Sequence, residues 1–251
     1  MMDLIQVIVG RELFYVSPKD LMEASFASPW AKAMIKYEGS SGKFNLPETD
    51  PNMFKIFLKI LSDKQPPEIS ASMEEMMSVL LQAHMWDFSD VVKKCCQFFS
   101  AKVQDHYNFI FNNTATLDLK NDLDDDAFFL LKWNIRKEFE CNNYLEWNSL
   151  TWMRILMDDY LNLEEIVIFK ALQSWKNFKD VSMWEVRRLV AFVRFPLISK
   201  EDFEKYVAIS GILDDLQVEN LRNYYLERNI DSGFNCTPRK FKLGIHNGVE
   251  F

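Results

Sequence analysis

The 251-residue chain carries a formal net charge of −8, with 48% hydrophobic and 26% charged residues. This composition allows one large domain or two of ordinary size, and it excludes an intrinsically disordered chain. An acidic balance also argues against a general nucleic-acid-binding protein, because neutralising phosphates requires clustered lysine and arginine. Only seven glycines occur, which favours helices over tight turns and phosphate-binding loops.

The sequence gives no signal for secretion or membrane insertion. Its start lacks a signal-peptide pattern, and no apolar run approaches the roughly 20 residues of a membrane span. The four cysteines (Cys95, Cys96, Cys141 and Cys236) form no disulfide framework, so we expect reduced thiols. We therefore predict a cytoplasmic or nuclear protein without a membrane partner.

A small sheet is predicted within the first hundred residues. The segment 4–10 is typical of a strand and 12–16 of its hairpin partner, because Gly10 and Arg11 suit a two-residue turn. A further short strand is predicted over 43–46.

About five short helices accompany this sheet, and capping residues mark their starts. Ser17, Ser28 and Asp50 each precede a proline, the usual order of an N-cap and a first helical position. Ser72 and Glu75 form a capping box, after which apolar residues recur with helical period. The last of these helices is predicted around 91–103.

From residue 104 onward the pattern predicts an all-helical domain. The expected helices lie near 105–113, 124–140, 148–157, 164–178, 183–193, 200–208 and 214–228. The domains are therefore 1–103 and 104–228, with a composition shift near 101–108. The remaining residues, 229–251, are predicted to be a C-terminal tail that could contain short strands.

The order of these elements resembles the BTB (POZ) fold. The residues that carry the likeness lie at 9–10, 13–16, 25–34, 54–61, 79–83 and 92–99. The second half is similar to the BACK domain of Kelch-like proteins, most specifically over 193–199, with weaker matches at 145–156 and 158–175. The resemblance implies an α+β BTB/POZ domain followed by an all-α BACK domain.

Three features depart from that family. The usual histidine after the second strand is replaced by Pro18 or its neighbours. The helix that many BTB homodimers exchange does not precede the first strand, which argues against that form of homodimer. No Kelch repeats follow, because 229–251 is too short for even one propeller blade.

The resemblance implies a cullin-type partner. In cullin-binding BTB proteins a hydrophobic–x–Glu motif contacts the cullin, and Met73, Glu74 and Glu75 match it. A competing register on Leu80 and Leu81 would instead place Met76 and Ser78 there. The candidate partner-binding residues are Met73, Glu74, Glu75, Met76, Trp86, Tyr107, Phe109 and Phe111. Core packing is the alternative for the methionines and Trp86, and capping is the alternative for Glu75.

Motifs for catalysis, cofactors or metals find little support in the sequence. Asp122, Asp124 and Asp126 have the spacing of a calcium loop but lack its glycine and its final glutamate. His84 with Cys95 and Cys96 matches no zinc pattern. We therefore expect no enzyme activity, no cofactor and no metal.

The leading functional hypothesis is an adaptor that recruits an unknown protein substrate to a cullin-type (cullin-3) ubiquitin ligase. One alternative is a non-catalytic scaffold in transcription or cytoskeletal assembly. Another is an inhibitor that occupies the cullin without recruiting a substrate. Stable binding to cullin, or its absence together with self-association, distinguishes the first hypothesis from the second.

Overall fold

A three-stranded mixed sheet lies at the start of the chain. Strands β1 (Ile5–Val9) and β2 (Glu12–Val16) form the predicted antiparallel hairpin. Gly10 adopts a φ of +59° at the turn between them, where a side chain would be strained. Strand β3 (Lys43–Leu46) pairs in parallel with the other edge of β1. Every second side chain of β1 is buried, so one face of the sheet belongs to the core.

The computed structural model describes residues 4–24, 28–41, 43–62, 70–117, 119, 122–227 and 232–239. The chain divides into two compact units, which we call unit 1 (Met1–His106) and unit 2 (Tyr107–Phe251). Of the predicted tail 229–251, residues 232–239 are described and contain no strand. The rest of that prediction lies outside the described residues.

Five helices accompany the sheet in the described part of unit 1. They are α1 (Pro18–Ala24), α2 (Pro29–Ser41), α3 (Pro51–Ser62), α4 (Met73–Met85) and α5 (Ser89–Ser100). The predicted cap of α3 is present, because the Asp50 carboxylate accepts the Met53 backbone N–H at 2.7 Å. The small sheet with short helices is therefore confirmed.

Aromatic side chains form the centre of the unit 1 core. Phe57 is fully buried, and its ring lies edge-on to both Trp86 and Phe88. Phe54 packs edge-on against Phe14 of β2, with ring centroids 5.1 Å apart. These contacts join the sheet to α3 and to the end of α4.

The described part of unit 2 consists of helices and loops, as predicted. Helix α6 (Val103–Thr114) crosses the division between the units, with a non-helical backbone at His106. The helices that follow are α7 (Leu123–Trp133), α8 (Ile135–Glu140), α9 (Ser149–Met157), α10 (Glu165–Lys179), α11 (Met183–Val190), α12 (Lys200–Asp202) and α13 (Asp215–Leu226). None of the helices within the described ranges is long and apolar enough to cross a membrane.

Two predicted helices of unit 2 differ from the structure. The helix expected over 124–140 is interrupted at Asn134, whose φ of −95° and ψ of 12° are not helical. The Asn134 side chain there donates to the Leu130 carbonyl at 2.9 Å, and the same carbonyl also accepts the Asn134 backbone N–H. The helix expected over 200–208 is a short α12 followed by the π-helical turn Phe203–Val207.

A turn after α11 docks into the core of unit 2. The segment Phe195–Leu197 is a 3₁₀ turn, and Phe195 and Pro196 are buried in it. Phe195 lies edge-on to Phe169 of α10, which is also fully buried. The predicted start of α12 is present, because Ser199 Oγ accepts the Asp202 backbone N–H at 3.0 Å. Residues 193–199 thus connect α11 to α12 and pack against α10.

Candidate functional site

The first turn of α4 is held by a reciprocal capping box. The Glu75 N–H donates to Ser72 Oγ at 3.1 Å, and the Ser72 N–H donates to Glu75 Oε2 at 2.8 Å. These bonds satisfy backbone donors that have no partner within the helix. The Glu75 carboxylate therefore fixes the start of the helix while it remains at the surface.

The same turn presents an apolar side chain beside two carboxylates. Met73 is half-buried, and Glu74 and Glu75 are both exposed. Acidic side chains in a first turn also interact favourably with the helix dipole, which stabilises this arrangement. A partner surface that combines an apolar pocket with basic side chains is complementary to it.

Met76 and Trp86 belong to the core of unit 1, although both are candidate partner-binding residues. Met76 is 2% exposed, so the competing register leaves only Ser78 at the surface. Trp86 stacks on Trp30 with ring centroids 4.2 Å apart. Neither side chain is available to a partner in this conformation.

The exposed face of α4 continues beyond the predicted motif. Ser78 and Met85 are exposed, and Met85 is 76% exposed at the end of the helix. With Glu74 and the half-buried Leu81, they follow the spacing i, i+4, i+7 and i+11 of one helical face. We call these four residues, together with Met73 and Glu75, the α4 face. Sequence reasoning missed Met85, although the spacing from Glu74 could have identified it.

The three candidate residues of α6 differ in exposure. Phe111 is fully buried and stacks on Phe128, with ring centroids 4.8 Å apart. Tyr107 is buried, and its hydroxyl donates to Glu138 Oε1 at 2.7 Å. Burial is the main cause that raises the pKa of the Tyr107 hydroxyl above its ordinary value, and the hydrogen bond to Glu138 raises this pKa further. Only Phe109 of the three is partly accessible.

Glu138 gathers the polar groups around Tyr107. It is 2% exposed, and its Oε2 accepts hydrogen bonds from the side chains of Asn108 at 2.5 Å and Asn143 at 2.9 Å. A buried carboxylate with several donors is stabilised where an unpaired one would be costly. This network orders the start of unit 2 and therefore explains Tyr107 as a structural residue.

Most of the residues considered in the sequence as metal ligands lie in a helix or in the core. Asp124 and Asp126 lie within α7 rather than in a loop, and Asp124 pairs with Arg154. Cys95 is fully buried, and burial raises the pKa of its thiol to about 12, so the thiol stays protonated at neutral pH. Within the described ranges, no group of three or more histidine, cysteine, aspartate or glutamate residues is arranged to hold a metal ion.

A comparison of the chain with protein-family models finds no family that matches it.

Proposed function

We propose that the chain is a non-enzymatic adaptor of the BTB–BACK type, which binds a cullin-type (cullin-3) scaffold and recruits a protein substrate to it. The order β1–β2–α1–α2–β3–α3–α4–α5, followed by a helical unit, supports this proposal. The turn Phe195–Leu197, in which Phe195 and Pro196 are buried, supports it further, because it lies within 193–199, where the BACK resemblance is most specific.

One observation carries the cullin part of the proposal. The first turn of α4 exposes Glu74 and Glu75 beside a half-buried Met73, whereas Met76 is buried. The hydrophobic–x–Glu pattern is therefore accessible in the Met73 register only. Partner binding at this turn would use an apolar anchor and a charge pair, a combination that gives both affinity and orientation.

Such an adaptor needs no reactive group of its own. By holding cullin on unit 1 and a substrate elsewhere, it raises the effective concentration of the substrate near the ligase. Orientation of the substrate lysine relative to the ligase contributes in the same way.

The test is size-exclusion chromatography with light scattering of the full chain, alone and with the cullin N-terminal domain. Met73→Lys and the double variant Met73→Lys/Glu75→Arg are expected to abolish a stoichiometric complex. Glu75→Gln keeps a hydrogen-bond acceptor for the cap but removes the charge, so it separates binding from helix stability. Met157→Lys is the matched control, because Met157 is 58% exposed on α9 in unit 2.

The same experiment distinguishes the adaptor from a scaffold, and a ubiquitination assay of the complex distinguishes it from an inhibitor. Absence of any complex with cullin, together with self-association, would reject the adaptor and favour a scaffold. A complex that forms but never supports ubiquitination of a bound protein would favour an inhibitor of the ligase.

A further inference from the structure

Arg239 is held in unit 2 by hydrogen bonds to all sides of its guanidinium group. Its Nε donates to Glu165 Oε1 at 2.6 Å, and a second nitrogen lies 3.5 Å from Oε2. The remaining bonds go to the backbone carbonyls of Leu156 at 2.8 Å, Asp158 at 2.6 Å and Phe192 at 3.4 Å. The side chains of Arg239 and Glu165 are only 4% and 5% exposed.

These acceptors form a pocket that fits a guanidinium group better than other cations. A guanidinium has five N–H donors in one plane, and here each has an acceptor. An ammonium has three donors and cannot reach the same set. Without a cation, the buried Glu165 carboxylate would keep only the backbone N–H of Arg194, at 3.1 Å, and three carbonyls would lose their donor. We call this set of acceptors the Glu165 pocket.

Two further anchors hold the same segment. The Phe234 ring lies edge-on to Phe195, with centroids 5.0 Å apart. The buried Arg194 side chain pairs with Asp159 and donates to the Thr237 carbonyl at 2.7 Å. Residues 232–239 therefore lie on unit 2 as a peptide ligand would, with an aromatic anchor, a backbone contact and an arginine anchor.

The surface beside Arg239 is open rather than filled. A cavity of about 450 Å³ is lined by Arg239 and Glu165 together with Leu161, Leu197 and Ile198. Its wall combines apolar side chains with the polar rim of α12, including Asp202. Another chain could therefore approach the pocket from this side.

We propose that the Glu165 pocket and Phe195 form a peptide-binding site, which recognises a segment with an aromatic residue and an arginine five positions later. In the structure this site is occupied in cis by Phe234 and Arg239. A partner protein with a segment of the same chemistry binds by displacing it. The site belongs to unit 2 alone, so this proposal does not depend on cullin binding.

The first test is chemical rescue of Arg239→Ala in the full chain. We expect this variant to unfold at a lower temperature than the wild type, because it leaves the Glu165 carboxylate buried without its cation. Millimolar ethylguanidinium should restore the melting temperature of the variant, whereas ethylammonium should not. Arg222→Ala is the matched control, because Arg222 also forms a two-pronged pair with a glutamate but at the surface, where its removal costs little.

The second test is binding in trans. A fluorescent, C-terminally amidated peptide of residues 232–239 is titrated with full-length Phe234→Ala/Arg239→Ala and with wild type. We expect binding at least about tenfold tighter to the double variant, and a loss of at least about tenfold when lysine replaces the peptide's arginine. Equal binding of the arginine and lysine peptides overturns the proposal. A failure of the peptide to bind the double variant also overturns it, even where ethylguanidinium rescues Arg239→Ala, because Arg239 would then be a fixed structural contact.

Light scattering of the wild type distinguishes the source of the segment. A dimer that the free peptide converts to monomers identifies a second copy of this chain as the ligand. A monomer that binds the peptide weakly supports a site that awaits a different partner.

Discussion

Trp30 and Trp86 stack in the core of unit 1, with ring centroids 4.2 Å apart and ring planes inclined by 15°. The main chain is tied at the same point, because Ser28 Oγ donates to the Trp86 carbonyl at 2.7 Å. Trp86 thus joins the start of α2 to the end of α4, and its role is structural although tryptophan is common at binding hot spots.

Trp86→Ala is therefore expected to destabilise unit 1 rather than to remove a partner contact. Loss of a buried aromatic side chain costs about 3–5 kcal/mol of unfolding free energy, and Trp86→Phe should cost less. Urea unfolding followed by circular dichroism measures the change. A Trp86→Ala variant with wild-type stability but no cullin binding would contradict this assignment.

Ser72→Ala removes one half of the α4 capping box. We expect a loss of about 0.5–2 kcal/mol in unfolding free energy, because the Glu75 N–H loses its acceptor. Glu75→Gln should cost less, since the amide oxygen can still accept from the Ser72 N–H. Ser78→Ala is a suitable control, because Ser78 only donates to the Glu74 carbonyl within the helix. Equal stabilities for Ser72→Ala and Ser78→Ala would show that the cap contributes nothing measurable.

Trp147 and Trp152 offer a matched pair in the core of unit 2. Both are almost fully buried, but the Trp147 indole N–H donates to Asn108 Oδ1 at 2.7 Å, whereas Trp152 Nε1 has no hydrogen-bond partner. Trp147→Phe leaves the Asn108 oxygen without its donor, and Trp152→Phe removes an unsatisfied donor. We expect Trp147→Phe to be more destabilising by about 1–3 kcal/mol. Thermal or urea unfolding of the two variants decides this, and the reverse order would contradict it.

The cysteines should divide into two classes by reactivity. Cys141 and Cys236 are exposed, whereas Cys95 and Cys96 are buried. Under native conditions at pH 8, a thiol reagent is expected to label the first two rapidly and the other two only on unfolding. Mass spectrometry of the labelled peptides gives the result. Rapid labelling of Cys95 would show that α5 opens readily.

Because the Cys95 thiol is buried, we expect the free energy of unfolding to fall at alkaline pH. Burial, helped by the neighbouring Cys96, raises the pKa of its thiol from an ordinary 9.0 to about 12. Below pH 9 the thiol is protonated in both the folded and the unfolded state, so its full contribution to the free energy of unfolding is present. Between pH 9 and 12 the unfolded thiol ionises while the folded one does not, so stability falls. Cys95→Ala should flatten the decline between pH 8.5 and 10.5, and Cys141→Ala is the matched control, because Cys141 is exposed.

Local signals in the sequence were enough to predict much of the fold. Gly10 marked the hairpin, Asp50 and Ser72 marked the starts of α3 and α4, and the structure contains each of these features. Such signals act within four residues of each other, so they can be recognised without tertiary information. The break at Asn134 was missed, because neither glycine nor proline marks it.

Neither the burial of individual side chains nor the contacts between residues far apart in the chain could be predicted from the sequence. Helical spacing put Met73 and Met76 in one pattern, yet only the first reaches the surface, because burial depends on what packs against the helix. The pair Glu165 and Arg239 is separated by 74 positions. No periodicity connects residues so far apart, so only the three-dimensional structure reveals this ion pair.

The parallel pairing of β3 with β1 has a consequence for how unit 1 folds. The hairpin of β1 and β2 closes a loop of two residues and can form within microseconds. Strand β3 can pair only after the chain between Val9 and Lys43, which includes α1 and α2, has brought β3 to the other edge of β1. Docking of β3 is therefore expected to be the slower event, and amide protection in pulse-labelling experiments should appear in the hairpin first.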